Sequence, residues 1–321
     1  MGGRIDNSLP SPSARKGAWE TPGTAAARAA PLPPVRVRVP GGDNVAMRYG
    51  IDIAQQRLDW DELVRRARFA EEAGFDGLWG FDHLKPMYGD TPGPTFEGMT
   101  TLAALAGLTS RIRLGLLVTG ITYRHPSMLA AEAVTVDHAS HGRLELALGA
   151  AWFEEEHREL DIEFPPLSRR IDRLEDALQM IPLLMTGEPV RFQGRAYTLR
   201  NARLLPRPVQ QPHPPIWVGA SGERRMLPLV ARYADMWHAF GPLEEMKRKS
   251  ALLSQLATQA GRDPAAIGRA TSLSLSGPLD EVRRTAEQWR DAGFAYLVCG
   301  WPSEGQGRIE EFVSEVLPAL G

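Results

Sequence analysis

Disulfides are closed to this chain as an internal device, because it has a single cysteine, Cys299. A lone thiol suits a reducing cytoplasm. Its place in the apolar run Tyr296-Leu297-Val298-Cys299 favours packing over reactivity. No apolar stretch reaches the roughly eighteen residues of a membrane span, and the N-terminus lacks the apolar core of a signal peptide, so a cytoplasmic location is expected. An excess of one charge is missing too: 37 Lys and Arg stand against 39 Asp and Glu, which leaves no footprint for nucleic acid or an anionic membrane. There is no H-E-x-x-H, no H-x-H after the first strand and no cysteine pair, and the seven histidines are scattered. No metal site is expected. The dinucleotide fingerprint G-x-G-x-x-G is also absent.

Residues 1–46 differ in composition from the rest. They hold seven prolines, a run of small residues from Thr24 to Ala30, and six Lys or Arg against three Asp or Glu. Such a segment cannot bury enough apolar area to offset chain entropy, so a disordered extension is expected there, with a misassigned start codon as the simplest origin. Met47 opens the first convincing strand.

From that point to residue 321, short apolar or β-branched runs alternate with helical patterns, the mark of βαβ units and a parallel sheet. Strands are predicted at 48–53, 77–82, 112–118, 143–149, 216–220, 235–240, 270–275 and 296–300. Helices are predicted at 59–73, 96–109, 127–140, 167–186, 223–233, 243–260, 279–292 and 307–319. Eight of each close a (β/α)8 TIM barrel. The stretch Glu72-Ala73-Gly74-Phe75 is echoed by Asp291-Ala292-Gly293-Phe294, two helix-to-strand junctions through a glycine cap. Regularity breaks in two places. Residues 83–95 form a long Pro- and Gly-rich loop, and an insertion between strands four and five carries a hairpin at 190–199 turning at Gln193-Gly194.

The active site of a barrel is built at the strand C-termini, which selects the candidates. Asp82-His83 ends strand two, where the histidine suits general acid–base work and the carboxylate can orient it. Equally, the two are a polar pair capping a loop. Gly219-Ala220-Ser221-Gly222 follows strand five and opens a helix, either as an anion cradle of backbone amides or as a tight turn. Arg224 and Arg225 follow closely. Leu117, Val118 and Gly120 present an apolar surface at the mouth for a flat ring. Ala150 and Trp152, after strand four, offer close approach and an aromatic face, or simple helix–strand packing.

Several long ordered stretches then matter together: AEEAGFDGLW-GFDH, TTLAALAGLTSRIRLGLLVTGITYRHP, HGRLELALGAAWFEEEH and RPVQQPHPPIWVGASGE. In these the chain resembles the luciferase-like monooxygenase superfamily, in particular its branch that uses the deazaflavin coenzyme F420. The resemblance implies a small-molecule oxidoreductase that transfers a hydride between F420 and a carbonyl, imine or alkene. The alternative is an FMN-dependent monooxygenase of the bacterial luciferase type. It implies that Asp82 and His83 contact the deazaflavin ring, with the histidine near the redox carbon. It places a non-proline cis peptide at Leu117-Val118, the phosphate turn at Ala220, Ser221 and Gly222, and His125 in the lining of the cofactor pocket. A homodimer is implied as well. Two departures stand out. Trp152 occupies the place of an acid used by sugar-phosphate dehydrogenases of the family, and Gly98 replaces a tryptophan, which implies a widened pocket.

Overall fold

The computed structural model describes residues 47–87 and 92–320. The expected tail at 1–46 and residues 88–91 of the long loop lie outside the described residues.

Strands follow in the order β1 (Arg48–Asp52), β2 (Gly77–Gly80), β3 (Arg113–Leu116), β4 (Thr119–Gly120), β5 (Leu144–Gly149), β6 (Val190–Gln193), β7 (Thr198–Ala202), β8 (Ile216–Gly219), β9 (Met236–His238), β10 (Gly268–Leu273) and β11 (Tyr296–Gly300). The helices are α1 (Trp60–Glu72), α2 (Gly98–Leu108), α3 (Pro126–Ala139), α4 (Glu154–Glu159), α5 (Leu167–Met185), α6 (Met226–Tyr233), α7 (Leu243–Gln259), α8 (Leu279–Asp291), α9 (Gln306–Glu311) and α10 (Leu317–Leu320). A π turn at Phe312–Val316 joins the last two.

Every stave pairs in parallel with its neighbours, and the β3–β5 pairing at Leu114↔Leu144 closes the cylinder. β3 and β4 form one stave, interrupted at Leu117-Val118 by a cis peptide bond. The barrel therefore has eight staves, as predicted. The two echoed junctions are built alike. Gly74 and Gly293 take positive φ of 87° and 82°, which a side chain would strain. The amide of the next residue reaches back in both: Phe75 N to Ala70 O at 3.2 Å and Phe294 N to Trp289 O at 3.0 Å. This is the Schellman closure.

The insertion lies between β5 and β8 and comprises α4, α5 and the β6–β7 hairpin. Asp176 of α5 holds the hairpin by accepting from Ala196 N at 2.6 Å and Tyr197 N at 3.0 Å. The hairpin turns over 194–197 and its second strand runs to Ala202, beyond the predicted limit. α4 was not predicted. Its sequence, EEEHRE, has no apolar periodicity, and it is held by the burial of Glu156 and His157.

The barrel interior is packed. Trp79, Trp217 and Tyr296 meet edge to face, with centroids 4.6 to 6.1 Å apart, and are joined by Ala147, Met236, Ala270 and Val298. The polar ends are satisfied within the lumen: Trp79 Nε1 donates to Tyr296 Oη at 3.0 Å and Trp217 Nε1 to the buried Glu145 at 2.6 Å. These rings need glycines opposite them. A Cβ on Gly115 would overlap the Trp79 ring and lie 2.9 Å from Glu145 O. Above the plug sit Leu117 and Val118, packed against it. Gly115→Ala should thus destabilise the fold by about 1–3 kcal/mol, the usual range for overpacking. Urea unfolding checks this, and an unchanged midpoint would mean that the plug repacks freely.

Candidate active site at the barrel mouth

The C-terminal ends of β2, β4, β5, β8 and β9 surround a cavity of about 1030 Å³. Among the predicted residues, Asp82, His83, Leu117, Val118, Gly120, Ala150, Trp152, Gly219, Ala220, Ser221 and Gly222 all line it. His125 is the exception. It is the N-cap of α3, where its Nδ1 accepts from Ser127 N at 3.1 Å and its ring meets Tyr197 at 4.8 Å. The proline that follows starts the helix, so the ring turns to the helix end and to the hairpin.

His83 and Asp82 are adjacent in sequence but belong to separate networks. The Asp82 carboxylate faces Arg124, accepting from Nη1 at 2.7 Å and Nη2 at 2.9 Å, and takes the Gly120 amide at 3.0 Å. Burial pushes its pKa up against the opposing pull of Arg124. Arg124 also pairs with Glu97 at 2.7 Å and Glu132 at 3.2 Å. Burial alone would lower its pKa, but these carboxylates raise it and keep the guanidinium charged. This cluster ties β2, β4, α2 and α3 together. Asp82 is therefore not the group that orients His83, contrary to the sequence-based expectation.

That role falls to Glu156. His83 Nδ1 lies 2.9 Å from Glu156 Oε2, and Tyr123 Oη donates to the same oxygen at 2.5 Å. The other oxygen accepts from the amides of Leu84 and, at 3.0 Å, Lys85. A carboxylate only accepts, so Nδ1 carries the proton, and Nε2 has no partner among the described residues. Burial alone would raise the Glu156 pKa; hydrogen bonds from His83, Tyr123 and Leu84 outweigh it and hold the carboxyl below its ordinary value. No pattern in Glu154-Glu155-Glu156 distinguishes the third carboxylate. Only the packing of α4 shows that Glu155 faces Lys85 at the surface (3.1 Å) while Glu156 is fully buried.

Around this dyad the lining is aromatic and apolar. Trp152, 64 % exposed, stacks on Phe153 and sets its edge toward His83 at 5.8 Å. Gly149 and Gly219 allow Val118 to sit close beneath, since a Cβ on Gly219 would lie 2.8 Å from Val118 Cγ1. His238, missed in the sequence, ends β9 within the cavity wall. Burial pulls its pKa down to about 3, so it is neutral, with Nε2 3.4 Å from Ser272 Oγ. Gly98 does not widen this cavity. It is buried at the start of α2, where a Cβ would lie 2.7 Å from Leu116 Cδ1.

The turn after β8 divides its amides. Ala220 N is taken by His238 O at 3.0 Å, which removes it as an anion donor. The amides of Ser221, Gly222 and Glu223 have no acceptor among the described residues. Arg225 is bound to Asp172 at 2.6 Å, whereas Arg224 is exposed and lines the cavity without an ion-pair partner among the described residues. Three amides and a guanidinium that have no partner among the described residues, beside a helix start, make a candidate anion site. Among the described residues no group of three His, Cys, Asp or Glu is placed to hold a metal ion, and no helix is long and apolar enough to cross a membrane.

Comparison with known proteins adds three findings. The family described as luciferase-like monooxygenase matches residues 43–308. An F420-dependent hydroxymycolic acid dehydrogenase of Mycobacterium tuberculosis is 33 % identical over 243 residues, 75 % of this chain and 66 % of that protein. An F420-dependent glucose-6-phosphate dehydrogenase of Microbacterium testaceum is 32 % identical over 56 % of this chain and 52 % of its own length. The chain thus spans between half and two thirds of these two relatives. Among solved structures, an F420-dependent secondary alcohol dehydrogenase with an F420-acetone adduct superposes with a TM-score of 0.77 at 19 % identity, covering 86 % of this chain and 99 % of that one. A monooxygenase from Streptomyces bottropensis gives 0.73 at 22 %, covering 86 % and 100 %. At such identities the superpositions establish the fold.

Glu156→Gln keeps the size but loses the charged acceptor for Tyr123, His83 and two amides, and should cost about 1–3 kcal/mol at neutral pH. The folded carboxyl titrates below its ordinary value of 4.5, so this stability is fully present above that value and is lost as pH falls through the folded pKa. Urea midpoints of the two proteins should converge in acid. A gap that stays constant down to about pH 4 would refute the charge-based account.

Proposed function

Because the chain belongs to the luciferase-like monooxygenase family, we propose that it is an F420-dependent oxidoreductase. In this reading it transfers a hydride between the deazaflavin and a small carbonyl, imine or alkene. The observation that carries the proposal is the joint presence in one cavity of an anion turn, an apolar shelf and a histidine with a fixed tautomer.

The residues present fit such a group. The free amides of Ser221, Gly222 and Glu223, with Arg224, suit its phosphate. Leu117, Val118, Gly149 and Ala150 form a flat apolar surface for its ring. Relatives named for F420 support the choice over FMN. When bound, a 5-deazaflavin supplies a hydride-carrying carbon where a flavin has an oxygen-reactive nitrogen.

The chain's own residues do the rest. Glu156 holds His83 with Nε2 toward the cavity, where that nitrogen exchanges a proton with the substrate oxygen or nitrogen. Tyr123 fixes Glu156 from the far side. Asp82, immobilised by Arg124, keeps the end of β2 in register with Gly120. Trp152 and Phe153 cover the dyad and limit water. The homodimer implied by the resemblance and the cytoplasmic location expected from the sequence belong to the same reading.

Titration with F420 and, separately, FMN tests the cofactor. Binding of F420 and bleaching of its absorbance without oxygen consumption support the proposal. FMN binding with oxygen uptake would favour the monooxygenase alternative. Gly222→Asp should abolish F420 binding while the fold survives. A Cβ there has ordinary space, its nearest neighbour being Met226 Cγ at 3.5 Å, yet the new carboxylate would face the phosphate. Unchanged affinity would remove the turn from the site. His83→Asn keeps size but cannot exchange a proton, so turnover should fall roughly a hundredfold with F420 affinity little altered. Normal turnover by this variant would exclude His83 as the group that exchanges the proton.

A further inference from the structure

The mouth contains a second cavity of about 560 Å³. It lies over the ends of β1, β10 and β11, on the side of the barrel away from the anion turn. Phe81, Met87, Leu117 and Phe240 line both cavities. The two are therefore neighbouring compartments with an apolar partition. On its far side the second compartment is polar: Asp52, Ser272, Ser274, Ser276 and Ser303 line it.

Asp52, half-buried at the end of β1, is short of donors for a carboxylate in a cavity wall. Its Oδ1 accepts from Ala54 N at 2.8 Å, and no other side-chain partner for it exists among the described residues. No ion pair neutralises it. Burial pushes its pKa up to about 6, as expected where a carboxylate lacks donors. Ser276 and Ser303 are spent on Glu304, at 3.1 and 3.0 Å. Among the described residues the exposed Ser274 Oγ accepts from the Ser276 amide at 3.3 Å, and its hydroxyl hydrogen has no acceptor there.

We propose that this second compartment is a substrate pocket for an uncharged, hydroxyl-bearing molecule. The apolar, reacting part of the ligand lies against the Phe81–Leu117–Phe240 partition, and a hydroxyl remote from it donates to Asp52 and accepts from Ser274. Charge selects the class. An anion would meet Asp52, and a cation would meet Arg57 and Arg66, which line the same cavity, Arg66 with Glu62 as its partner at 2.7 Å. A hydroxyl both donates and accepts, matching a carboxylate beside serines. The inference rests on the oxidoreductase reading for the word substrate, but the pocket itself does not.

Calorimetric titration of the full-length protein tests it, with trans-cyclohexane-1,4-diol, the matching diamine and the matching dicarboxylate as probes. The diol should bind and the two charged probes should bind more weakly. Asp52→Asn keeps the bond to Ala54 N and turns the cavity-facing acceptor into a donor, so it should weaken the diol roughly tenfold or more, the effect of one hydrogen bond to a charged group. Ser274→Ala should weaken it by less. Absence of diol binding, equal binding by the Asn variant, or preference for a charged probe each overturns the proposal. Should the Asn variant fail to fold, a crystal soaked with diol decides, since density only outside this compartment refutes it. Fluorescence titration with F420 on the same samples separates the two claims. Diol binding without F420 binding would sink the cofactor reading and leave the pocket standing, whereas the reverse would sink only the pocket.

Discussion

A closed parallel barrel encloses a space that has to be filled, and everything at the mouth rests on how this chain fills it. Three large aromatics, Trp79, Trp217 and Tyr296, take up the lumen. They fit because the facing positions Gly50, Gly77 and Gly115 have no side chains. Both indole N–H groups find acceptors inside the lumen, Trp79 on Tyr296 Oη and Trp217 on Glu145. Leu117 and Val118 pack directly above it. That level is the floor of both mouth cavities. A looser plug would lower the floor, and the shelf for a flat ring would go with it.

The rim is set by charge. Arg124 collects three carboxylates, from the end of β2, the start of α2 and the middle of α3, and Glu156 gathers His83, Tyr123 and two loop amides. Buried charges persist only when paired and hydrogen-bonded, so each network fixes its members tightly. The two networks divide the adjacent pair Asp82-His83 between structural and chemical work. Asp52 departs from this pattern: it is the rim carboxylate left with one backbone amide, on the side where the wall turns to serine.

The division of the mouth follows from the strand order. β2, β4, β5, β8 and β9 share the larger cavity, and β10, β11 and β1 the smaller one. Four apolar side chains stand between them. An extended cofactor on one side and a compact polar ligand on the other would meet at that partition, where water is least favoured.

The sequence alone determined the barrel, because strand and helix periodicities are local and glycine caps such as Gly74 and Gly293 punctuate each unit. It also determined the positions along the rim, since a barrel brings the strand ends into one place. Partners across the rim were decided only by the tertiary structure. Asp82 beside His83 reads as a pair, yet alternate residues of an extended chain face opposite ways, and Asp82 turns to Arg124. Glu156 is indistinguishable from Glu154 and Glu155 until α4 packs and buries one face of a helix without apolar periodicity. His125 reads as a pocket residue until the start of α3 claims its ring. Gly98 suggests space, but the volume lost there is already filled by Leu116. Each of these outcomes depends on contacts between residues distant in the chain, and a one-dimensional pattern carries no record of them.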